Sequence, residues 1–232
     1  MKYFINYASN GFKVAQSEGL KAAKACGFET IGYTESDLDP DFISRNQEIM
    51  SNSRGGGYWL WKPYLIQKTL NKMSDGDYLV YMDSGAIFIK DPSNLLKFIN
   101  HKGVLSFSMI QKTSKWTKGD CFHLINGENK NDFKDENQIQ ATYIFFRKCD
   151  YSVNFVKKWL SYCENKNLIT DEPNLYMSNF DDFSDHRHDQ AIFSLLVYNE
   201  DIMYVPQVDQ YCTEHGIDPN FWKIVERHGF RG

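Results

Sequence analysis

The chain has 232 residues, a formal net charge of −4 and 16% aromatic side chains. That length suits one domain with a proper core. The acidic balance argues against a nucleic-acid partner, which would call for a basic face, and no apolar run approaches the ~20 residues of a membrane span. Five cysteines, at 26, 121, 149, 163 and 212, are widely spread without a CxxC pair. They indicate neither a zinc site nor a disulfide framework, so a reducing, cytoplasmic compartment is expected. The many aromatics are of the kind that line sites for planar or sugar-like ligands.

Residues 3–7 predict a first strand rather than a signal peptide, because the apolar part is too short and has no cleavage site. A polar turn at 8–11 leads into a helix over 12–26, closed by Gly27. A second short strand follows at 29–33. A β-α-β opening predicts parallel strands joined by a right-handed crossover. Tyr7 and Ala8, just past the first strand, then face the ligand-binding edge of the sheet as contacts for a base and ribose. Tyr7 reads equally well as a core aromatic.

Arg54-Gly-Gly-Gly-Tyr-Trp-Leu-Trp-Lys-Pro63 is the next dense stretch. Three consecutive glycines interrupt regular structure and let backbone N–H groups approach an anion. Arg54 and Lys62 flank them, and phosphate is what such cations usually hold. Trp61 adds a stacking face. The Lys-Ser/Thr of a Walker loop is missing. Pro63 suits the first turn of a helix over 64–72.

The chain is organised around residues 75–92. Residues 78–82 (Tyr-Leu-Val-Tyr-Met) are apolar on both sides, as expected of a central strand covered on both faces. The run stops at Asp83-Ser84-Gly85, where open α/β sheets bind their ligands. Asp83 reads either as a site carboxylate or as a turn residue, and Gly85 permits a sharp turn or close ligand approach.

Further on, residues 93–100 predict a helix and 104–109 a strand. The stretches 112–120 and 127–137 are polar; the first contains Trp116 and Lys118, candidates for acceptor or phosphate contact. Residues 138–147 predict a strand, 151–163 an amphipathic helix and 164–185 a polar loop. His186-Arg-His-Asp-Gln190 then opens a helix, whose N-terminus favours carboxylates and anionic ligands. His186, His188 and Asp189 read as metal ligands, a base or helix caps. A short strand at 203–206 and an irregular tail over 206–232 complete a single domain.

Taken together, four blocks resemble the small glycosyltransferases of bacterial surface-polysaccharide clusters and large DNA viruses. These are the 54–63 segment, the 76–85 strand, Ala-Thr-Tyr-Ile-Phe-Phe-Arg at 141–147, and the stretch from His186 to Leu196. The resemblance implies the α/β nucleotide-diphospho-sugar transferase (GT-A) fold, with a mostly parallel central sheet and helices on both faces. It implies a nucleotide-diphospho-sugar donor, and a saccharide or lipid-linked acceptor that would bring the chain to a membrane surface peripherally. In that family an Asp-x-Asp binds Mn2+ or Mg2+ across the two phosphates; Asp83 matches its first position, and Gly85 stands at the second. Tyr7, Ala8, Arg54, Trp61, Lys62, Asp83, Ser84 and Gly85 are then the donor-site residues. Asp189 and Gln190 carry over as catalytic candidates, with His186 and His188 as metal or phosphate contacts. Breaking a sugar–phosphate bond passes through an oxocarbenium-like state and leaves a diphosphate needing positive charge. A nucleotidyltransferase would want a basic glycine-rich loop directly after the first strand, and Ala8-Ser9-Asn10-Gly11 is too poor in charge. An inactive sugar-nucleotide-binding module is a third reading, raised by Gly85.

Overall fold

A computed structural model describes residues 1–129 and 131–227. Its strands are β1 (Lys2–Tyr7), β2 (Glu29–Tyr33), β3 (Tyr78–Met82), β4 (Ala86–Phe88), β5 (Val104–Lys112), β6 (Asn137–Arg147), β7 (Met203–Pro206) and β8 (Val225–Arg227). Six of them form one sheet in the order β2-β1-β3-β6-β5-β7. All its neighbours pair in parallel except β6, which is antiparallel to both β3 and β5. The sheet is therefore mostly parallel, and β3 lies at its centre, as its two-sided apolar run requires.

Side chains alternate across the sheet because the strand period is two. Ile5, Leu79, Tyr81, Ile144 and Phe146 pack on one face with the helices Trp61–Leu70, Asp150–Cys163 and His188–Asn199. Phe4, Val80, Met82, Phe145 and Phe107 face the other core, covered in part by the Lys13–Ala25 helix and by β4 paired with β8. Among the described residues no helix is long and apolar enough to cross a membrane.

Three expected elements differ. The helix expected at 93–100 is a 3-10 segment, Pro92–Phe98, begun by Pro92 and by Asp91, whose carboxylate accepts the Ser93 N–H. The polar stretch expected at 112–120 runs into a buried helix, Gly119–Asn126, whose Cys121 and Phe122 are fully enclosed. Asp120 anchors it, its carboxylate accepting the N–H groups of Leu175, Tyr176 and Met177. Inside the expected loop 164–185 lies a short helix, Lys166–Ile169, with Leu168 and Ile169 fully buried. The tail described up to Arg227 contributes β8, a 3-10 segment (Gln210–His215) and a short helix (Pro219–Trp222); its expected end, 228–232, lies outside the described residues.

Candidate active site

The ends of β1 and β3 form the first wall. The ladder continues one residue past β3, with the Asp83 N–H donating to Thr142 O at 2.7 Å, and the chain then turns so that Ala86 N–H reaches Asp83 O at 3.0 Å. Ser84 Oγ donates to Tyr7 O at 2.6 Å, clipping the two strand ends together. Asp83 thus leaves the sheet at a fixed place. Its Oδ1 accepts the Tyr81 hydroxyl at 2.5 Å, and among the described residues no hydrogen bond reaches Oδ2.

The glycine segment forms the second wall by winding the wrong way. Gly55, Gly56, Gly57, Tyr58 and Trp59 all have positive φ, from 53° to 93°. They make a left-handed turn closed by Tyr58 N–H to Arg54 O at 2.7 Å and Trp59 N–H to Gly55 O at 3.3 Å. The glycines are obligatory on spatial grounds too: a Cβ on Gly55 would stand 2.4 Å from the Trp59 ring, and one on Gly57 would stand 2.9 Å from Met50 Cα. Tyr58 and Trp59 have no such freedom, and each costs on the order of 1–2 kcal/mol in this conformation. His188 (φ 49°) is strained in the same sense. His188 packs against the other two, its ring 4.8 Å from Tyr58 and 5.5 Å from Trp59. Backbone strain concentrated in one place marks a site held by its surroundings.

Reversal of the chain at this turn delivers Lys62 to the interior from the first turn of the Trp61–Leu70 helix. The residue is 3% exposed. Its Nζ donates to Ala141 O at 3.1 Å and lies 2.9 Å from Asp189 Oδ2 and 3.3 Å from Asp83 Oδ1. Burial alone would lower the Lys62 pKa, but the two carboxylates hold it above the ordinary value. Burial pushes the Asp189 carboxyl up to about 6, against the pull of Lys62 and with a further push from Asp83. One buried ammonium therefore joins an acid from the β3 end to an acid from the start of the His188–Asn199 helix.

Two cavities meet here. A cleft of about 440 Å3 is lined by Tyr7, Trp61, Ser84, Gly85 and the glycine turn. A second, of about 220 Å3, is lined by Lys62, Arg187, His188, Asp189 and Gln190. Trp59 and Asp83 border both. Ala8 lines an adjoining recess of about 200 Å3 with Thr34 and Glu35. Tyr7 and Trp61 stack on each other at 4.0 Å, and the Trp61 indole N–H donates to Gly55 O at 2.9 Å. Burial, then Glu35, pushes the Tyr7 hydroxyl up to about 12.

Several expectations from the sequence are corrected by this geometry. Arg54 is committed to Asp171 (3.0 Å) and Asp185 (2.7 Å) and is not a spare cation for phosphate. The Gly56 and Gly57 N–H groups are spent on Ser53 O and Asn52 O, so they form no anion cradle. Lys118 is buried, with Nζ donating to Glu172 O at 2.7 Å. His186 uses both ring nitrogens within the chain: Nδ1 accepts the Lys118 N–H at 3.4 Å and Nε2 donates to Leu168 O at 2.7 Å. Burial holds its pKa well below the usual value, so it is a neutral internal brace rather than a metal or phosphate contact. His188 Nδ1 donates to Ile169 O at 2.7 Å, which leaves the buried Nε2 without a hydrogen-bond partner among the described residues. The Gln190 amide accepts the Ala141 N–H and donates to Gln138 Oε1, both at 3.2 Å. Trp116 lies beneath the Arg187 guanidinium. Among the described residues no group of three or more His, Cys, Asp or Glu side chains is arranged to hold a metal ion. Arg187 is the site residue that sequence reasoning passed over; its place between the two histidines was the available signal.

A mostly parallel sheet with a carboxylate at the tip of its central strand faces a second acid at a helix start, and comparison with known proteins identifies the chain as a GT-A-type nucleotide-sugar glycosyltransferase. Residues 40–210 match the model of the galactosyl transferase GMA12/MNN10 family, and the chain belongs to that family. Among solved structures it is similar to galactosyltransferase LgtC in complex with donor and acceptor sugar analogs, with 11% identity, 99% of this chain and 87% of that one covered, and a TM-score of 0.52. Mouse xyloside xylosyltransferase 1 in its apo form aligns over 99% of this chain and 98% of that one, at 10% identity and a TM-score of 0.50. The apo bifunctional glycosyltransferase WbbM gives a TM-score of 0.55 at 11% identity; the match covers 98% of this chain and 45% of the larger protein. These likenesses support the fold. A search of curated proteins finds no significant match.

Proposed function

We propose that the protein transfers a sugar from a nucleotide-diphosphate donor to a saccharide or lipid-linked acceptor, its 232 residues acting as one domain. The observation that carries this reading is the Lys62 bridge between Asp83 and Asp189, at the place where two cavities meet. The larger cleft takes the donor. Its nucleoside lies toward Tyr7, Ala8 and Trp61, and its diphosphate lies at Asp83, Ser84 and Gly85. The smaller cavity takes the acceptor hydroxyl, beside Asp189.

Asp83 supplies one unengaged carboxylate oxygen. Magnesium is commonly bound through one or two carboxylates with substrate phosphates completing its shell, so this donor set fits an Mn2+ or Mg2+ that arrives with the diphosphate. Such an ion, when bound, neutralises charge on the leaving diphosphate. Lys62 orients both carboxylates and keeps Asp189 ionised at neutral pH despite its burial. Asp189 receives the acceptor's proton or faces the charge developing at the anomeric carbon. Gln190 fixes the start of the helix against β6, so it positions Asp189. The scattered free cysteines support a reducing, cytoplasmic compartment, with peripheral membrane contact through a lipid-linked acceptor.

The test is a thermal-shift screen of UDP-, GDP-, TDP- and CMP-sugars, each with and without manganese. A ligand at ~100 times its Kd adds about 2.7 kcal/mol of stability. The expected result is stabilisation by one nucleotide class, larger with manganese and reduced by Asp83→Asn. No response to any nucleotide would remove the reading.

A further inference from the structure

Three basic side chains reach the smaller cavity, and two of them are already balanced. Lys62 lies between Asp83 and Asp189, and Arg54 between Asp171 and Asp185. Arg187 is the third. Its guanidinium carbon sits 4.2 Å from the centre of the Trp116 ring, and its backbone N–H donates to Trp116 O at 3.0 Å. Among the described residues no carboxylate pairs with this guanidinium and no acceptor takes any of its N–H donors. The neighbouring Asp185 is held by Arg54 at 2.7 Å. Burial first, and then the charges of Arg54 and Arg227, lower the Arg187 pKa from the usual arginine value, against an opposing pull from Asp185.

A planar guanidinium resting on an indole face is oriented before any ligand arrives. A fork so prepared matches two oxygens of a phosphate or carboxylate. The same cavity holds a second unsatisfied group. His188 is 1% exposed, and its Nε2 has no hydrogen-bond partner among the described residues. Because Nδ1 donates to Ile169 O, Nε2 presents a lone pair. Asp171 Oδ1, at 3.8 Å, is beyond hydrogen-bond range. The lining therefore offers a forked donor beside one unsatisfied acceptor suited to a hydroxyl group, which is the complement of an anionic group next to a sugar.

We infer that Arg187 is an oxyanion-binding residue of this site, holding a phosphate or carboxylate group of a substrate with Trp116 as its platform. The inference rests on the transferase reading above. The oxyanion has two sources: the donor's diphosphate, or an acidic substituent on the saccharide acceptor.

Calorimetric titration of the full chain with inorganic pyrophosphate and with methyl glucuronide separates them. The proteins compared are the wild type, Arg187→Met, which keeps an aliphatic stem on Trp116, and Arg187→Lys, which keeps the charge without the fork. Near-UV circular dichroism verifies that the variants are folded. At least one probe is expected to bind the wild type, to weaken about 10- to 100-fold in R187M, as for a lost charge-assisted hydrogen bond, and to weaken by less in R187K. A loss for pyrophosphate assigns Arg187 to the donor, and a loss for the glucuronide assigns it to the acceptor. Equal affinities in all three proteins, or no binding of either probe to the wild type, overturns the inference. Nucleotide-sugar stabilisation in a protein whose affinities for both probes are unchanged by R187M would remove the role of Arg187 while the transferase reading stands; silence toward every nucleotide would remove that reading itself.

Discussion

At the strand ends, Asp83 projects with 32% of its side chain exposed and one oxygen free, whereas across the Lys62 ammonium Asp189 is sealed, its side chain 4% exposed. The β3 side is held mainly by backbone, through a ladder bond to Thr142 and a tight turn to Ala86, with the Ser84 hydroxyl clipping it to β1. The helix-start side is held by side chains and stacked rings, including His186 and His188 on the 168–169 carbonyls and the strained Tyr58 and Trp59 against His188. The difference teaches that the two acids are prepared for different work. An exposed carboxylate with a spare lone pair suits a ligand that comes and goes. A buried one with a raised pKa suits proton transfer near neutrality.

Removing the link between the two sides has the largest effect. Lys62→Met leaves two acids in one site without their cation and is expected to cost about 3–5 kcal/mol in urea unfolding, the range for a broken buried ion pair. Adding Asp189→Asn should recover part of that loss; a double variant less stable than Lys62→Met alone would show that Lys62 does not act by balancing Asp189. Next, Asp189→Asn alone is expected to lower kcat by about 10²–10⁴-fold, the usual span for a general acid–base group, while nucleotide affinity changes little. A matching loss of nucleotide affinity would place Asp189 in the donor site instead.

The pH dependence sharpens the contrast. A carboxyl whose folded pKa is near 6, above its unfolded 3.8, favours the folded chain while protonated; that contribution is complete below the unfolded value and is lost between about pH 4 and pH 6. The stability of the wild type relative to Asp189→Asn should therefore fall across that window, by up to about 3 kcal/mol for a two-unit shift. Parallel stability curves would refute the raised pKa. Asp83→Asn should act differently, weakening manganese-dependent nucleotide binding by about tenfold, near 1.4 kcal/mol, with little change in unfolding. The smallest effect belongs to Arg54→Met: its ion pairs are 38–44% exposed, so a stability loss under about 1 kcal/mol is expected. A larger loss would mean that Arg54 braces the strained turn.

The centre of the fold was readable because its signals are local. An apolar run ended by Asp-Ser-Gly specifies a buried strand and a turn from neighbouring residues alone, and β3 with Asp83 follows. The Lys13–Ala25 helix and the pairing of β1 with β2 are legible for the same reason. The Gly119–Asn126 and Lys166–Ile169 helices were not, because each offers only a few apolar residues among polar ones and owes its place to burial against distant elements. The positively charged residues misled for a related cause: type and spacing reveal a cation, but not whether a carboxylate more than a hundred positions away has already claimed it.

Sequence by itself determined the sheet-forming runs, the break at Asp83 and the glycines at 55–57, since backbone sterics and hydrophobic periodicity act over a few residues. Tertiary structure alone decided that Lys62 would sit between Asp83 and Asp189, that Arg54 would be spent on Asp171 and Asp185, and that Arg187 would rest on Trp116 with no ion pair among the described residues. The physical reason is that a charge in a site is defined by what surrounds it in three dimensions; burial, partner distance and strain exist only once remote segments have met.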